Sequence, residues 1–347
     1  MKKFFKSHPP RILLSRVDNI GDVILTLPMA SVLKQHYPDC HIVFMARDYV
    51  RDIIRSYPMV DEFLSWNELE SATPEQAAKR LKQLNLDLFV HVYPKEVIAK
   101  LAAKAKIPYR VGTIRRTYHY FNCNRWVPLR RNRTNLHEAQ LNLQLLTPFG
   151  IKEKPTLEQL IPRVKLTPPA TPLPLDIAQL LDKNRFNLIV HPLSNNNGKE
   201  WPLAYYIQLI NSLPPNRFNV FVTGSTQEVS ALTPLISQCQ KAHVICGKLD
   251  LAQFLTLIQQ CDGLLASGTG PLHMAAAIGI KALGLYPPPM DIDPVRWGPL
   301  GPQAEFLVKP SSCFKRCLHP GTRSCPCMDA ISVAEVRSVL ERWASIN

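Results

Sequence analysis

The sequence contains 347 residues, which is too long for one hydrophobic core of ordinary size, so we expect two domains. Hydrophobic residues make up 46% of the chain and charged residues 20%, a globular composition that excludes a disordered protein. The formal net charge of +14 favours anionic partners such as nucleic acid, phosphorylated sugars or an anionic membrane face, and no apolar run reaches the roughly 18 residues that cross a bilayer.

The first half of the chain alternates predicted strands with predicted helices. Short apolar runs predict buried strands at 11–15, 41–45 and 86–92, and the apolar spacing predicts helices at about 23–37 and 97–106. This alternation indicates a parallel sheet with helices on both faces. Arg16 and Asp18 interrupt the apolar stretch behind the basic N-terminus, so we expect no signal peptide and a cytoplasmic protein.

Five prolines separate the two halves: Pro162, Pro168, Pro169, Pro172 and Pro174. They predict a stiff, extended connector, so we place an N-terminal domain at 1–162, a linker at 163–186, a second domain at 187–330 and a final helix at 331–347. The second half repeats the α/β pattern, with strands predicted at 187–191, 218–223, 263–267 and 282–286 and helices at 203–213, 251–260, 271–279 and 331–345. Open parallel sheets bind ligands at the carboxyl ends of their strands, so we expect a cleft between the domains there.

Basic residues are concentrated between Glu96 and Glu138, a stretch without an acidic side chain. They are Lys100, Lys104, Lys106, Arg110, Arg115, Arg116, Arg125, Arg130, Arg131 and Arg133. Such a patch predicts an anionic partner, and a solvated face without a specific partner is the alternative. Arg110, Arg115 and Arg116 are our candidates for binding an anionic acceptor molecule.

The first candidate site is the loop after the first predicted strand, where residues 18–22 read Asp-Asn-Ile-Gly-Asp. Gly21 allows a tight turn, and Asp22 stands at the start of the next helix. A carboxylate there can cap the helix by accepting backbone N–H bonds, or it can act as a general base at the mouth of the cleft. The residues alone leave both interpretations open.

The second candidate site is the segment 194–202, which follows the first predicted strand of the second domain. Ser194 and Asn195 supply hydrogen bonds, Gly198 allows close backbone approach, and Lys199 can reach a phosphate as a point charge. The alternative is a polar turn that precedes a helix.

The third candidate site is the glycine-rich turn at 267–274, between a buried strand and a helix. Pro271 suits the first helical position, so the backbone N–H groups of Thr269 and Gly270 would point at a bound anion such as a nucleotide diphosphate. His273, in the first turn, could contact this ligand or pack beneath the loop. The glycines do not form GxGxxG, which disfavours an NAD-dependent oxidoreductase.

Two further clusters could bind metal. Asp291 and Asp293 lie in a proline-rich loop, where two carboxylates are weak evidence for a metal–diphosphate site. Nine cysteines in a chain without an export signal are expected to be reduced, and four of them crowd together: Cys313, Cys317, Cys325 and Cys327. Four thiols could bind zinc or an iron centre, but the CxxxC and CxC spacings depart from the usual CxxC pairs. Reduced structural cysteines are therefore the favoured interpretation, and we expect no metal.

Three segments, in order along the chain, resemble the motifs of one known family. Gly21-Asp22 with Thr26-Leu-Pro28, Lys199-Glu-Trp-Pro202 and Gly268-Thr-Gly-Pro-Leu-His273 resemble those of glycosyltransferase family 9, the lipopolysaccharide heptosyltransferases. The resemblance implies an α/β fold of GT-B architecture, with two facing Rossmann-like domains and a C-terminal helix. It also implies an inverting, metal-independent transferase, without a cofactor, that moves a sugar to an anionic lipopolysaccharide core or similar glycan. In characterised members the donor is ADP-heptose.

The resemblance also gives roles to residues of this chain. The acceptor would bind the N-terminal domain, where Asp22 would deprotonate its hydroxyl group. The donor would bind the second domain, with Lys199 on the diphosphate and Leu249 against the adenine. The other implied donor contacts are Ser194, Asn195, Thr269, Gly270 and His273. One position departs from the family: Gly268 stands where the family usually has an aspartate that is associated with the donor sugar.

Two other classes of function stay open. Gly268 suggests a non-catalytic or altered-donor protein of the same fold that binds nucleotide sugars or anionic glycans. The charge suggests a nucleic-acid-binding protein, but the chain has no recognised motif and no interleaved aromatic platform, so we expect no nucleic acid partner. We expect a monomer that contacts the inner membrane surface peripherally, where a glycolipid acceptor lies.

Overall fold

The computed structural model describes residues 8–131, 134–194, 198–289, 292–310, 313, 318 and 322–345. The chain divides into two compact units, the N-terminal unit at Met1–Thr167 and the C-terminal unit at Pro168–Asn347. No helix among the described residues has the length and apolar character needed to cross a membrane.

The N-terminal unit is an α/β unit with six strands among its described residues: β1 (Arg11–Ser15), β2 (His41–Ala46), β3 (Glu62–Ser65), β4 (Leu88–His91), β5 (Tyr109–Thr113) and β6 (Arg125–Val127). Its α-helices are α1 (Ile20–Ile24), α2 (Pro28–His36), α3 (Arg51–Arg55), α4 (Trp66–Ser71), α5 (Pro74–Gln83), α6 (Glu96–Lys104), α7 (Thr117–Asn122), α8 (Glu138–Leu143) and α9 (Leu157–Leu160). Short 3-10 helices lie at Asp48–Val50, Gln144–Phe149 and Ile161–Arg163.

The six strands of this unit form one parallel sheet in the order β3-β2-β1-β4-β5-β6. The strand order reverses between β1 and β4, where Ser15 pairs with His91. Both faces of β1 are buried, because Leu13 packs against the core formed with α4, α5 and α6 while Ile12 and Leu14 are also fully buried. The reversal leaves a crevice at the carboxyl ends of β1 and β4, the usual ligand position in such sheets.

The helix predicted at 23–37 is two helices in the structure. The first, α1, ends at Ile24, and the second, α2, begins at Pro28. Proline has no N–H to donate to the carbonyl group four residues earlier, so it suits the first turn of a helix and not its interior. Asp22 therefore lies inside a short helix that begins at Ile20, not at the head of a long one.

The C-terminal unit repeats this architecture, with six strands among its described residues: β7 (Phe186–His191), β8 (Phe218–Val222), β9 (His243–Val244), β10 (Gly263–Ser267), β11 (Lys281–Tyr286) and β12 (Ala304–Val308). Its α-helices are α10 (Leu175–Ala178), α11 (Leu203–Ser212), α12 (Val229–Gln238), α13 (Leu251–Gln260), α14 (Gly270–Ile278), α15 (Pro294–Trp297), α16 (Pro326–Asp329) and α17 (Val333–Trp343). A 3-10 helix lies at Thr226–Glu228. Helix α10 falls within the segment that was expected to be extended, and it begins directly after Pro174.

This second sheet is also parallel, in the order β12-β11-β10-β7-β8-β9. Its order reverses between β7 and β10, so the equivalent crevice lies beyond the ends of these two strands. Helix α17 packs into the core of the same unit through Val336, Leu340 and Trp343. The predicted α/β class, with two Rossmann-like sheets and a C-terminal helix, is confirmed.

Candidate functional site

A buried arginine organises the crevice of the N-terminal unit. Arg16 directly follows β1 and is 4% exposed, and its guanidinium group contacts three carboxylates. It donates to Asp18 at 2.7 Å, to Glu138 at 3.2 Å and to Asp22. Burial by itself would lower the pKa of Arg16, but the three carboxylates raise it above its usual value. The cation is therefore permanent, and it fixes the position of Asp22.

Asp18 and Asp22 form a pair of carboxylates at this crevice. Burial raises the pKa of Asp18 to about 6, while Arg16 opposes the rise and Asp22 adds to it. A carboxyl group with such a pKa exchanges its proton near neutral pH, which is a property of general acids and bases. The structure thus places a second titratable group beside the predicted base, and Asp18 had been assigned no role.

A long-range ion pair connects this site to helix α8. Glu138, at the start of α8, is 1% exposed and also contacts Arg131, which donates to Asn142 at 3.0 Å. The amide of Asn142 in turn donates to the carbonyl oxygen of Leu25 at 3.1 Å. Helix α8 is therefore bonded to the loop that follows α1. No local sequence signal predicts this network, because Arg16 and Glu138 are separated by 122 positions.

Two buried histidines lie beside the same crevice. His91 Nδ1 is 3.0 Å from His119 Nε2, and the backbone N–H of Lys95 donates to His91 Nε2 at 3.0 Å. With Nε2 as an acceptor, the proton of neutral His91 lies on Nδ1 and is donated to His119. His119 Nδ1 lies within hydrogen-bond distance of both the backbone N–H and the carbonyl oxygen of Thr113, at 2.9 and 3.0 Å. Burial lowers the pKa of both histidines, so this chain of hydrogen bonds holds the neutral rings.

In the C-terminal unit, the structure brings the second and third predicted sites together. The backbone N–H of Trp201 donates to the hydroxyl group of Ser267 at 3.2 Å. A Cβ atom on Gly198 would lie 3.4 Å from the carbonyl oxygen of Gly268, so these two backbones are in close approach. Both loops follow the switch-point strands, β7 and β10, which explains why segments about 70 residues apart meet.

The loop after β7 is held by its own side chains. Glu200 accepts hydrogen bonds from the backbone N–H and the hydroxyl group of Ser194, at 2.8 and 2.9 Å. Lys199 is 7% exposed, and its ammonium group donates to the carbonyl oxygen of Thr322 and lies 3.3 Å from the hydroxyl group of the same residue. Ser194 and Lys199 therefore lie in an ordered loop after β7, whereas Asn195 lies outside the described residues.

The loop after β10 begins helix α14. Thr269 occupies the N-cap position without capping the helix through its side chain, and Gly270 and Pro271 begin the first turn. The hydroxyl oxygen of Thr269 is buried and has no hydrogen-bond partner in the described part of the chain. His273 is also buried in this first turn. A buried hydroxyl group at the start of a nine-residue helix, whose first N–H groups have no partner within the helix itself, forms an arrangement that suits an anion.

The requirement for glycine at position 268 has a steric explanation. A Cβ atom at this position would lie 2.7 Å from Cε1 of Tyr286, a distance that real Cβ atoms do not show. The Tyr286 ring is buried at the end of β11, and its hydroxyl group donates to the carbonyl oxygen of Trp297 at 2.7 Å. The ring therefore occupies the space that the side chain of an aspartate would need.

The remaining predicted donor residue lies farther along the sheet. Leu249 is partly exposed and follows β9, which is two strands from β7, just before the N-cap residue of α13. At the end of β7, Nδ1 of His191 is 2.9 Å from the hydroxyl oxygen of Thr223, which follows the neighbouring strand β8. Burial lowers the pKa of His191 to about 4, against the opposing effect of Glu228. No local sequence pattern indicates a role for His191.

The residues of the predicted basic patch differ in the contacts that they make. Arg110 donates to the carbonyl oxygens of Asn122 and Ile107, so it serves the fold of its own loop. Arg115 and Arg116 are exposed, and no ion pair within the described residues involves either of them. Other members pair with acidic residues that lie outside the stretch between Glu96 and Glu138 or at its ends: Lys100 with Glu96, Lys104 with Glu75 and Arg131 with Glu138.

Apolar side chains stand next to these two exposed arginines. Phe121 is 86% exposed, and Tyr120, Trp126 and Ile114 are about half exposed. Tyr120 donates to the carbonyl oxygen of Ile114 at 2.9 Å, and the rings of Tyr120 and Trp126 are 6.2 Å apart. Exposed aromatic side chains and two exposed arginines thus occur within the same short segment, 114–126.

The two candidate metal clusters differ in their contacts. Asp293 caps α15 by accepting the backbone N–H of Arg296 at 3.1 Å, and Asp291 lies outside the described residues. Cys313, Cys325 and Cys327 are buried, and their sulfur atoms all lie within 4.8 Å of one another. Cys317 lies outside the described residues.

Comparison with known proteins gives one consistent result. The family model of glycosyltransferase family 9 (heptosyltransferase) matches residues 76–323 of the chain. The lipopolysaccharide core heptosyltransferase OpsX of Haemophilus influenzae is 23% identical to the chain, over 81% of this chain and 80% of OpsX.

Two solved structures share the fold. A family 9 glycosyl transferase of Veillonella parvula superposes with a TM-score of 0.76 at 19% identity, covering 97% of this chain and 98% of that one. The ADP-heptose lipopolysaccharide heptosyltransferase II of E. coli gives a TM-score of 0.75 at 19% identity, covering 96% and 98%. The predicted GT-B architecture is confirmed at the level of the fold. Because the family match spans well over half of the sequence, the chain belongs to glycosyltransferase family 9 and is a glycosyltransferase.

Proposed function

We propose that the chain transfers heptose from ADP-heptose to an anionic glycan acceptor of the lipopolysaccharide core, with inversion at the anomeric carbon and without a metal ion in the chemical step. The observation that carries this proposal is the anion cradle of the C-terminal unit. There the loops after β7 and β10 meet at the start of α14, beside the buried hydroxyl group of Thr269. The ADP-heptose transferase of E. coli has the same fold, which supports the choice of donor.

In the proposed reaction, Asp22 accepts the proton of the acceptor hydroxyl group as its oxygen attacks the anomeric carbon. The bond from this carbon to the diphosphate oxygen breaks, and ADP leaves. The start of α14 and Lys199 stabilise the charge on the leaving diphosphate, which is the kind of preorganised electrostatic effect that contributes most in many enzymes. A single displacement with one base and no protein nucleophile inverts the anomeric centre.

Replacing Asp22 by asparagine tests the base. Turnover should fall by about two to four orders of magnitude, because the amide cannot accept the proton, while ADP binds about as tightly as to the unchanged protein. The measurement is ADP release with ADP-heptose and heptose-deficient lipopolysaccharide, together with calorimetric titration of ADP. Asp52→Asn is the matched control, since Asp52 lies in α3 of the same unit and is not one of the ion-pair partners that Arg16 has among the described residues. A variant of Asp22 that keeps most of its turnover would refute the assignment.

The steric fit of Tyr286 against Gly268 supports a second candidate, a transferase or binding protein of this fold with another donor sugar. The carboxylate that the family places at this position is absent, and Tyr286 fills its space. A panel of ADP and UDP sugars, scored for binding and for turnover, decides between the candidates. Preference for ADP-heptose supports the first, another preferred sugar supports an altered donor, and binding without turnover supports a non-catalytic protein.

For the acceptor, we propose the exposed surface around α7. Arg115 and Arg116 would contact phosphate or acidic sugar groups, and Phe121 and Trp126 would contact the apolar part of a membrane interface, where the protein would bind peripherally. Combined Arg115→Ala and Arg116→Ala substitutions should weaken binding to anionic vesicles about thirtyfold at low salt, at roughly 1 kcal/mol per charge. Lys79→Ala with Lys82→Ala removes equal charge from the exposed side of α5 and should change little. Equal losses in both variants would refute a specific surface.

A further inference from the structure

Three cysteine sulfurs meet in the core of the C-terminal unit. Cys313, Cys325 and Cys327 are at most 2% exposed, and every pair of their sulfur atoms lies within 4.8 Å. Three thiolates on one tetrahedral ion, with metal–sulfur bonds of about 2.3 Å, would have their sulfurs about 3.8 Å apart. The observed spacing is therefore close to that of a metal site before any adjustment of side chains.

The backbone conformation that follows Cys325 brings two of the three thiol groups together. The backbone N–H groups of Met328 and Asp329 donate to the carbonyl oxygen of Cys325, at 2.8 and 3.3 Å. The resulting turn, which contains Pro326, brings the sulfurs of Cys325 and Cys327 to the same place. By contrast, the buried cysteines Cys239 and Cys261 end two different helices, α12 and α13. Burial of a small apolar side chain explains those two, but it does not explain three that converge.

We propose that Cys313, Cys325 and Cys327 bind one structural transition-metal ion through their thiolates, either zinc or iron. Thiolates select these metals over magnesium or calcium, which take oxygen ligands. This site is separate from the proposed chemistry, in which a metal takes no part. A disulfide between two of the cysteines is the competing state.

The metal site would brace the loop after β7. On the N-terminal side of Cys325, Thr322 accepts the ammonium group of Lys199, and the carbonyl oxygen of Arg323 accepts the backbone N–H of Glu200 at 3.0 Å. On the C-terminal side of Cys327, the carbonyl oxygen of Ile331 accepts the indole N–H of Trp201 at 2.8 Å. Three consecutive residues of the loop are thus held by the segment that carries two of the thiolates. Lys199 would be positioned by the metal, an effect on nucleotide binding that rests on the proposed function.

The first experiment measures metal in the unchanged protein. The full chain is produced in medium with added zinc and iron, purified without oxygen or chelators, and analysed by inductively coupled plasma mass spectrometry. About one ion per chain is expected. Iron bound to thiolates absorbs visible light and zinc does not, so the spectrum identifies the metal. Less than about a tenth of an ion per chain, or a disulfide in the intact mass, would overturn the proposal.

The second experiment uses Cys325→Ser and Cys327→Ser, with Cys239→Ser as the matched control, since Cys239 is equally buried in the same core. The first two should lose the metal and the control should keep it; metal retained by all three would overturn the site. ADP affinity, measured on variants whose circular dichroism is unchanged, should fall about tenfold through misplacement of Lys199. Unchanged affinity would overturn the bracing role. If the unchanged protein binds no ADP, the proposed function fails while the metal content still decides this inference.

Discussion

Replacing Arg16 by methionine should destabilise the N-terminal unit by about 3–5 kcal/mol, because it leaves buried carboxylates without their cation. The guanidinium group is 4% exposed and contacts Asp18, Asp22 and Glu138. Methionine has a similar length, so it leaves little empty volume and the change is mainly electrostatic. Glu138 keeps Arg131, whereas Asp18 and Asp22 lose this partner.

The pH dependence of this loss separates electrostatics from packing. Burial already raises the pKa of Asp18 to about 6, and Arg16 is the partner that lowers it, so removing Arg16 raises the pKa further. A group whose folded pKa is raised contributes stability at low pH and loses it as the pH rises through that pKa. The destabilisation should therefore be largest near pH 8 and should shrink toward pH 5, where the carboxyl group is protonated.

Hydrogen exchange of β1 and β4 peptides in a urea series measures the free energy of unfolding of this unit apart from the other. Arg51→Met is the matched control, since Arg51 pairs with Asp48 at the surface and should cost less than about 1 kcal/mol. A loss of similar size in both variants, or one for Arg16→Met that is the same at pH 8 and pH 5, would contradict the electrostatic explanation.

Two further perturbations follow from the contacts. Gly268→Ala should cost about 1–3 kcal/mol in the unfolding free energy of the C-terminal unit, because its Cβ would meet Tyr286 at 2.7 Å. Chemical denaturation checks this, and an unchanged midpoint would show that Tyr286 moves without cost. Burial lowers the pKa of His91 and His119, so their contribution to stability is complete above their unfolded pKa of about 6.5 and is lost as the pH falls through the lower folded value. Hydrogen exchange at pH 7.5 and 5.5 should show this loss, and His119→Asn, which cannot titrate, should show less of it; equal losses would exclude the pair as its source.

Buried strands were the easiest features to predict. The runs at 11–15 and 263–267 are strands with those bounds, because both faces of a central parallel strand are buried and the apolar run is continuous. Short edge elements such as β9, with two residues, carry no such pattern and were missed. Helix α12 was missed as well, since Pro234 lies inside it.

The candidate sites were found only as far as their signals are local. A loop that follows a strand and contains glycine predicted the positions of Asp22 and Thr269, and the parallel sheet explains why Gly198 and Trp201 meet the loop after β10. The partner of Lys199 at Thr322 could not be predicted, because it depends on how a distant segment packs. The same holds for Arg16 with Glu138.

Helix α17 makes the C-terminal unit depend on its last residues. The Trp343 ring packs against Phe186 of β7, its indole N–H donates to Glu305 of β12 at 2.8 Å, and its carbonyl oxygen accepts Lys281 of β11 at 2.9 Å. Three strands of the second sheet thus contact one residue of α17. During synthesis the N-terminal unit can fold early, whereas the core of the second unit can be completed only after α17 has left the ribosome.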